Sequence, residues 1–198
     1  MRSPQQCHPE PKASDAVEVA ASPSEPAASL GTTSIVLIGF MGAGKSAVGR
    51  ELARRAGLPR RDTDEMIRRR FGLTIPQIFE QHGETAFRDA ETEVLRNLPE
   101  RAIVVTGGGI VLRDENIRLL RALGRIVWLD ADEETLWERA SRRQTRPLLQ
   151  TANPRERFSE LFRERQSLYA AAADERVATA NRSLAEVAHE ILCVFVSS

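Results

Sequence analysis

Ser34-Ile35-Val36-Leu37-Ile38-Gly39-Phe40-Met41-Gly42-Ala43-Gly44-Lys45-Ser46 is the stretch that decides how this chain is built. The run 34–38 reads as a buried strand, 39–46 as a glycine-rich loop, and Val48-Gly49-Arg50-Glu51-Leu52-Ala53 as the helix leaving it. The loop has the spacing G-x-x-x-x-G-K-[ST], and each residue type in it has a physical task. Gly42 and Gly44 let backbone N–H groups turn inward onto phosphate oxygens where a Cβ would intrude, and the helix presents its positive N-terminal end. Lys45 carries a compact charge to the outer phosphates, and the Ser46 hydroxyl is placed for Mg²⁺. Lys12 and Lys45 are the only lysines among 28 basic residues, which sets Lys45 apart. A nucleoside triphosphate is the ligand this stretch implies.

Beyond the loop, short apolar runs alternate with longer amphipathic stretches. Gly57 closes the first helix, and Leu58 to Asp64 reads as a short second strand, weakly written because Arg60 and Arg61 stand where apolar residues belong. A helix follows over about 64–70; Thr74-Ile75-Pro76 starts another, and 84–98 carries a further helical pattern. Ala102 to Val105 and Arg125 to Leu129 are the third and fourth strands, with helices expected over 116–123 and 133–142. A polar loop at 143–154 precedes a long helix ending near Ala172, a weak strand at 176–179, and a closing helix from Leu184 to Val196 capped by Ser183. Alternation of this kind predicts an α/β fold, a parallel sheet covered by helices on both faces, with ligands at the carboxyl ends of the strands.

Composition narrows the class. The chain has 198 residues, 41% of them hydrophobic, and a formal net charge of zero, so it offers one domain's core and no broad basic field for nucleic acid. Cys7 and Cys193 lie at opposite ends without metal or disulfide spacing, which points to a reduced, cytoplasmic protein. No run of about 18 apolar residues exists to span a membrane. Residues 1–33 are rich in Pro, Ala, Ser and Glu and carry no apolar spacing, so a disordered extension is expected, leaving 34–198 as the folded domain. Its scattered acidic residues argue against a targeting peptide, while an interaction segment stays open.

The loops after the first three strands must gather at one edge of the sheet, and each carries polar or glycine residues. Asp62 and Asp64 share a face if the second strand continues that far. A carboxylate there can hold Mg²⁺, directly or through water, and its neighbour can accept a hydroxyl proton; equally, Asp64 can simply cap the next helix. Gly107-Gly108-Gly109 directly after a buried strand is either a flexible turn or a place of close backbone approach to a ligand. Among the arginines, Arg88 after Phe87, Arg165 in the long helix, and Arg146 before Pro147-Leu148-Leu149 in a lid-sized loop are candidates by position, with a surface role the alternative for each.

This ordered set resembles shikimate kinase, of the nucleoside-monophosphate-kinase-like branch of P-loop folds. The resemblance runs over about residues 34–196: the loop 39–46, Asp62-Thr63-Asp64, Gly83-Glu84 with Phe87-Arg88 and Glu91, the triple glycine, Arg146-Pro147-Leu148-Leu149, and Arg165 ahead of Leu168-Tyr169. It implies a three-layer fold with a five-stranded parallel sheet ordered 2-3-1-4-5 and a mobile lid. By the same resemblance Gly42, Ala43, Gly44, Lys45, Ser46 and Ala47 bind ATP, with Arg146 from the lid and with Arg139 and Arg182 about the adenine; Ser46 and Asp62 hold Mg²⁺. Shikimate is held by Asp64, Arg88, Gly108 and Arg165, and Lys45, Asp64 and Arg146 are catalytic. Two guanidinium groups suit a carboxylate, and a carboxylate with exposed N–H groups suits hydroxyls. The implied reaction is transfer of the ATP γ-phosphoryl group to the 3-hydroxyl of shikimate, by a cytoplasmic monomer with neither nucleic acid nor membrane as partner. Three departures stand out: Ala47 replaces a usual threonine, Arg60 and Arg61 replace apolar strand residues, and Val177-Ala178-Thr179 lacks a common aspartate. The alternatives are a kinase of the same fold with another hydroxy acid such as gluconate as acceptor, and a non-catalytic sensor of shikimate.

Overall fold

Strand β1 (Ser34–Ile38) is buried at every position, because helices cover both faces of the sheet and neighbouring strands flank both of its edges. The computed structural model describes residues 33–142 and 151–196. All but the last residue of the expected extension, and residues 143–150 of the expected lid with Arg146, lie outside the described residues.

The chain continues through α1 (Lys45–Ala56), β2 (Arg60–Asp62), α2 (Thr63–Phe71), α3 (Ile75–Arg96), β3 (Ile103–Val105), a 3-10 turn (Ile110–Leu112), α4 (Asp114–Leu123) and β4 (Gly124–Asp130). It ends with α5 (Glu133–Ser141), α6 (Pro154–Ala172), β5 (Glu175–Ala178) and α7 (Leu184–Val196). The strands form one parallel sheet in the order β2-β3-β1-β4-β5, the expected topology. Val36 on the central strand pairs with Val104 on one side and Ile126 on the other, so three aliphatic residues form a rung through the core.

Two apolar clusters organise the packing. The larger gathers β1, β3 and β4 with α1, α6 and α7, including Leu52, Phe158, Tyr169 and Ile191. A smaller one, Ile67, Ile78, Phe87, Ala90 and Val94, fastens α2 to α3 and builds a separate wall at the carboxyl edge of the sheet. Burying such side chains stabilises by about 1.5–3 kcal/mol each, so this wall is a firm support for groups mounted on it.

Local details follow sequence chemistry. Gly57 ends α1 at φ 64°, Ser183 and Glu186 form a reciprocal capping pair at the start of α7, and Asp132 caps α5 by accepting from Thr135 N at 2.8 Å. Helix α3 is interrupted at Gly83, whose φ of 79° and ψ of 169° divide it into 75–82 and 84–96. Strand β2 is shorter than expected. It stops at Asp62, and Asp64 lies in the first turn of α2, because Asp62 turns the chain by accepting the N–H of Glu65 at 3.3 Å. The two aspartates therefore do not share a strand face, and the capping residue is Asp62 and not Asp64.

Candidate active site

The glycine loop leaves β1 and closes onto α5. Gly42 has φ 89°, and a Cβ there would stand 2.4 Å from the carbonyl oxygen of Leu136, so only glycine fits. Gly44 caps α1 without a side chain, and the helix's leading N–H groups face the loop with no side-chain acceptor: an anion seat. Lys45 folds back over this seat, donating to Gly39 O at 2.6 Å and Phe40 O at 3.1 Å. Those carbonyls hold the ammonium beside the place where phosphate oxygens would exchange for them.

Opposite the loop, Asp62 and Asp64 approach from the β2–α2 junction. Asp62 is 9% exposed, and its Oδ2 accepts from Arg60 Nη1 at 2.7 Å. Asp64 buries Oδ1 without a hydrogen-bond partner among the described residues. Burial first, and then the Asp62 carboxylate, raise the Asp64 carboxyl above its ordinary range, against the pull of Lys45, Arg68 and Arg88.

The triple glycine is a close-packed saddle. A Cβ on Gly107 would lie 2.7 Å from Asp64 Oδ1 and 3.0 Å from Glu91 Oε1, and one on Gly109 would lie 2.2 Å from Arg88 Nη1. The segment is also pinned: Gly107 N donates to Thr63 Oγ1 at 3.2 Å, and the Gly108 carbonyl accepts from Tyr169 and, at 3.5 Å, from Arg165 Nη1. Close approach of the Asp64, Glu91 and Arg88 side chains accounts for Gly107 and Gly109.

Two guanidinium groups flank the saddle. Arg88 projects from the second half of α3, where Glu91 takes Nη1 at 2.6 Å and Glu84 takes Nη2 at 2.8 Å. Glu91 is fully buried with Oε1 unpartnered among the described residues, and burial pushes its carboxyl up to about 7 despite Arg88. Arg165 lies on α6 over the Phe40 ring at 6.0 Å, with Nε buried and unpartnered among the described residues. Burial, joined by the like charge of Arg88, lowers the Arg165 guanidinium from its ordinary value. Buried cations with hydrogen-bonding capacity to spare are suited to an anionic ligand.

All of this opens onto one cavity of about 850 Å³. Its lining includes Gly42, Gly44, Lys45, Ser46 and Ala47 on one side, Asp62, Asp64, Arg88, Gly108 and Arg165 on the other, and Arg139 at the α5 end. Arg139 is anchored by Thr179, through Oγ1 at 3.1 Å and the carbonyl at 3.0 Å. Ala43 packs into the core beneath the loop. Arg182 stands off the cavity lining, bonded to Ala178 O and Glu190. Arg50 and Arg68 also line the cavity, which nothing in their spacing announced.

The donor set fits Mg²⁺ and not a cation caged by protein alone. Among the described residues no group of three His, Cys, Asp or Glu side chains stands ready for a metal, while Ser46 and Asp62 share the cavity wall next to the anion seat. Mg²⁺ is commonly held by one or two such groups together with phosphate oxygens and water.

Comparison with known proteins shows the family. The family model described as "Shikimate kinase" matches residues 41–195. The chain is similar to the shikimate kinase of Thioalkalivibrio sulfidiphilus, at 48% identity over 81% of this chain and 85% of that one. It is similar to that of Thermodesulfovibrio yellowstonii at 43% identity, covering 80% of this chain and 92% of the relative. Among solved structures, shikimate kinase from Acinetobacter baumannii in complex with shikimate superposes with a TM-score of 0.82 at 37% identity, over 88% of this chain and 98% of that one. With its sheet order, its phosphate loop and these relatives, the chain belongs to the shikimate kinase family.

Proposed function

We propose that this chain transfers the γ-phosphoryl group of ATP to the 3-hydroxyl of shikimate, yielding shikimate 3-phosphate and ADP, and that the residues gathered in the cavity divide the task between them. The observation carrying this assignment is the convergence of Lys45, Asp64, Arg88 and Arg165 on one cavity between the phosphate loop and the triple glycine. A relative of the same fold, from Acinetobacter baumannii, is described in complex with shikimate.

The triphosphate lies along residues 42–47, its oxygens taking the N–H groups at the start of α1, while Arg139 borders the adenine end. Lys45 exchanges the Gly39 and Phe40 carbonyls for the outer phosphates. Ser46 and Asp62 are the residues that would hold Mg²⁺, whose charge would offset that of the phosphates. Arg182, off the cavity lining, and Arg146, outside the described residues, keep the roles implied by the family resemblance: a border to the adenine and a lid cation.

Arg88 and Arg165 take the acceptor's carboxylate, one held by Glu84 and Glu91, the other over Phe40. Gly108 supplies backbone for a hydroxyl, and Asp64 orients the hydroxyl that attacks. In a loose transition state the attacking oxygen is acidic only late, so Asp64 need take its proton only then. Its raised pKa makes it the stronger base at that moment. Catalysis is therefore mostly positioning and charge compensation. No described helix is long and apolar enough to cross a membrane.

The test is ADP release from Mg²⁺-ATP with shikimate, quinate, gluconate or no acceptor. Stimulation confined to shikimate supports the assignment. Stimulation by gluconate instead would transfer it to another acceptor, and shikimate binding without any turnover would make the chain a sensor.

A further inference from the structure

Arg60 occupies a strand position where an apolar residue is expected, and the fold uses both ends of its side chain. The stem runs beside α1, its Cδ 3.8 Å from where a Gly49 Cβ would sit, so the methylenes fill the apolar place. The guanidinium continues toward the carboxyl edge and forks, Nη1 to Asp62 Oδ2 at 2.7 Å and Nη2 to Glu65 Oε1 at 2.6 Å. Asp62 Oδ1 accepts the Glu65 N–H at 3.3 Å, so both oxygens of this carboxylate are engaged. Asp62 and Glu65 line the cavity with Ser46.

A carboxylate satisfied in this way is a poorer partner for a divalent cation or for its bound water. A charge-assisted bond must lengthen or exchange, and a positive charge stands behind the site. Mg²⁺ sheds water reluctantly and tolerates little distortion, so it cannot accommodate the competitor by adjusting its own geometry. We propose that Arg60 is a positioning residue that competes with Mg²⁺ for the Asp62 carboxylate and thereby raises the magnesium concentration at which the nucleotide is held, with Glu65 drawing the guanidinium partly aside. This rests on the assignment of Asp62 and Ser46 to the metal.

The test is calorimetric binding of ADP over a series of free Mg²⁺ concentrations. The set comprises wild type, Arg60→Met, which keeps the stem without the charge, Glu65→Gln, which removes the second carboxylate charge that draws on Arg60, and Arg61→Met. The last removes the same charge from the exposed opposite face of the strand. The half-saturating Mg²⁺ concentration is expected to fall about fivefold in Arg60→Met, to rise in Glu65→Gln, and to stay at the wild-type value in Arg61→Met. An unchanged value in Arg60→Met, or an equal fall in Arg61→Met, would overturn the proposal while leaving the metal assignment intact. Should Arg60→Met not fold, Glu65→Gln decides alone: a rise supports the competition and no change overturns it. Nucleotide binding by the wild type that ignores Mg²⁺ would remove the metal assignment, and the proposal with it.

Discussion

Asp64 and Glu91 meet across Gly107. Asp64 Oδ1 and Glu91 Oε1, both buried and without hydrogen-bond partners among the described residues, lie 2.7 and 3.0 Å from the point where a Cβ of residue 107 would stand. The glycine is therefore the spacer that lets two carboxyl groups approach the same backbone, one lining the cavity and the other bonded to Arg88. Gly107→Ala must displace one of them. The expected result is a loss of about 1–3 kcal/mol in stability with a raised KM for shikimate, read by thermal unfolding and initial rates, while ADP affinity stays at the wild-type value.

The pH dependence of stability follows from Glu91. Its carboxyl is raised from 4.5 to about 7 by burial, against Arg88, so the folded state binds a proton that the unfolded state releases between those values. Stability is then full below about 4.5 and falls as pH rises toward 7. Relative to Glu91→Gln, which cannot titrate, wild type should lose stability over that window, by about 3 kcal/mol at most. Chemical denaturation of both proteins from pH 4.5 to 8 checks the sign: parallel curves would mean that Glu91 is ionised throughout.

Arg88→Ala removes one of the two cations proposed to take the acceptor's carboxylate and leaves Glu91 without the Arg88 guanidinium. The loss in kcat/KM for shikimate should be about a hundredfold or more. Arg88→Lys should recover little of it, because a lysine cannot hold two carboxylates and a ligand in a planar fork. Nucleotide binding, which uses the opposite wall of the cavity, should survive both changes.

Tyr169 bonds the Gly108 carbonyl from the fully buried face of α6 and stacks on Trp128 at 6.1 Å. Tyr169→Phe keeps the stack and removes the bond that fixes the middle glycine, so about 1 kcal/mol of stability should go. A rise in shikimate KM larger than any change in kcat should accompany it.

The parts of the fold legible in the sequence are those where one physical requirement dominates. β1 is buried on both faces and reads as an unbroken apolar run, and the glycine loop announces itself because Gly42 tolerates no side chain. The sheet order is the one that the family resemblance implied, and the alternation of strands and helices by itself gave only a parallel sheet. β2 was hard to bound, since a three-residue edge strand with two arginines is held by pairing to β3 and not by its own pattern. In Asp62-Thr63-Asp64 either acid satisfies a capping rule, and the first one takes the cap. Glu91 stands three residues after Arg88, the spacing of any surface ion pair. Only the packing of α3 against Gly107 buries it, and that contact is tertiary. The hydroxyl of Tyr169 is invisible for the same reason, its acceptor lying 61 residues away.

The central claim is the reaction itself, and the most direct measurement is the position of phosphate on the product. Purified protein is incubated with Mg²⁺-ATP and shikimate, ADP release is followed, and the product is resolved by phosphorus–proton NMR. Stoichiometric ADP with phosphate on the 3-oxygen, abolished in Asp64→Asn, is the predicted result. ADP release independent of shikimate, or phosphate on another hydroxyl, would contradict the placement of acceptor and base described above.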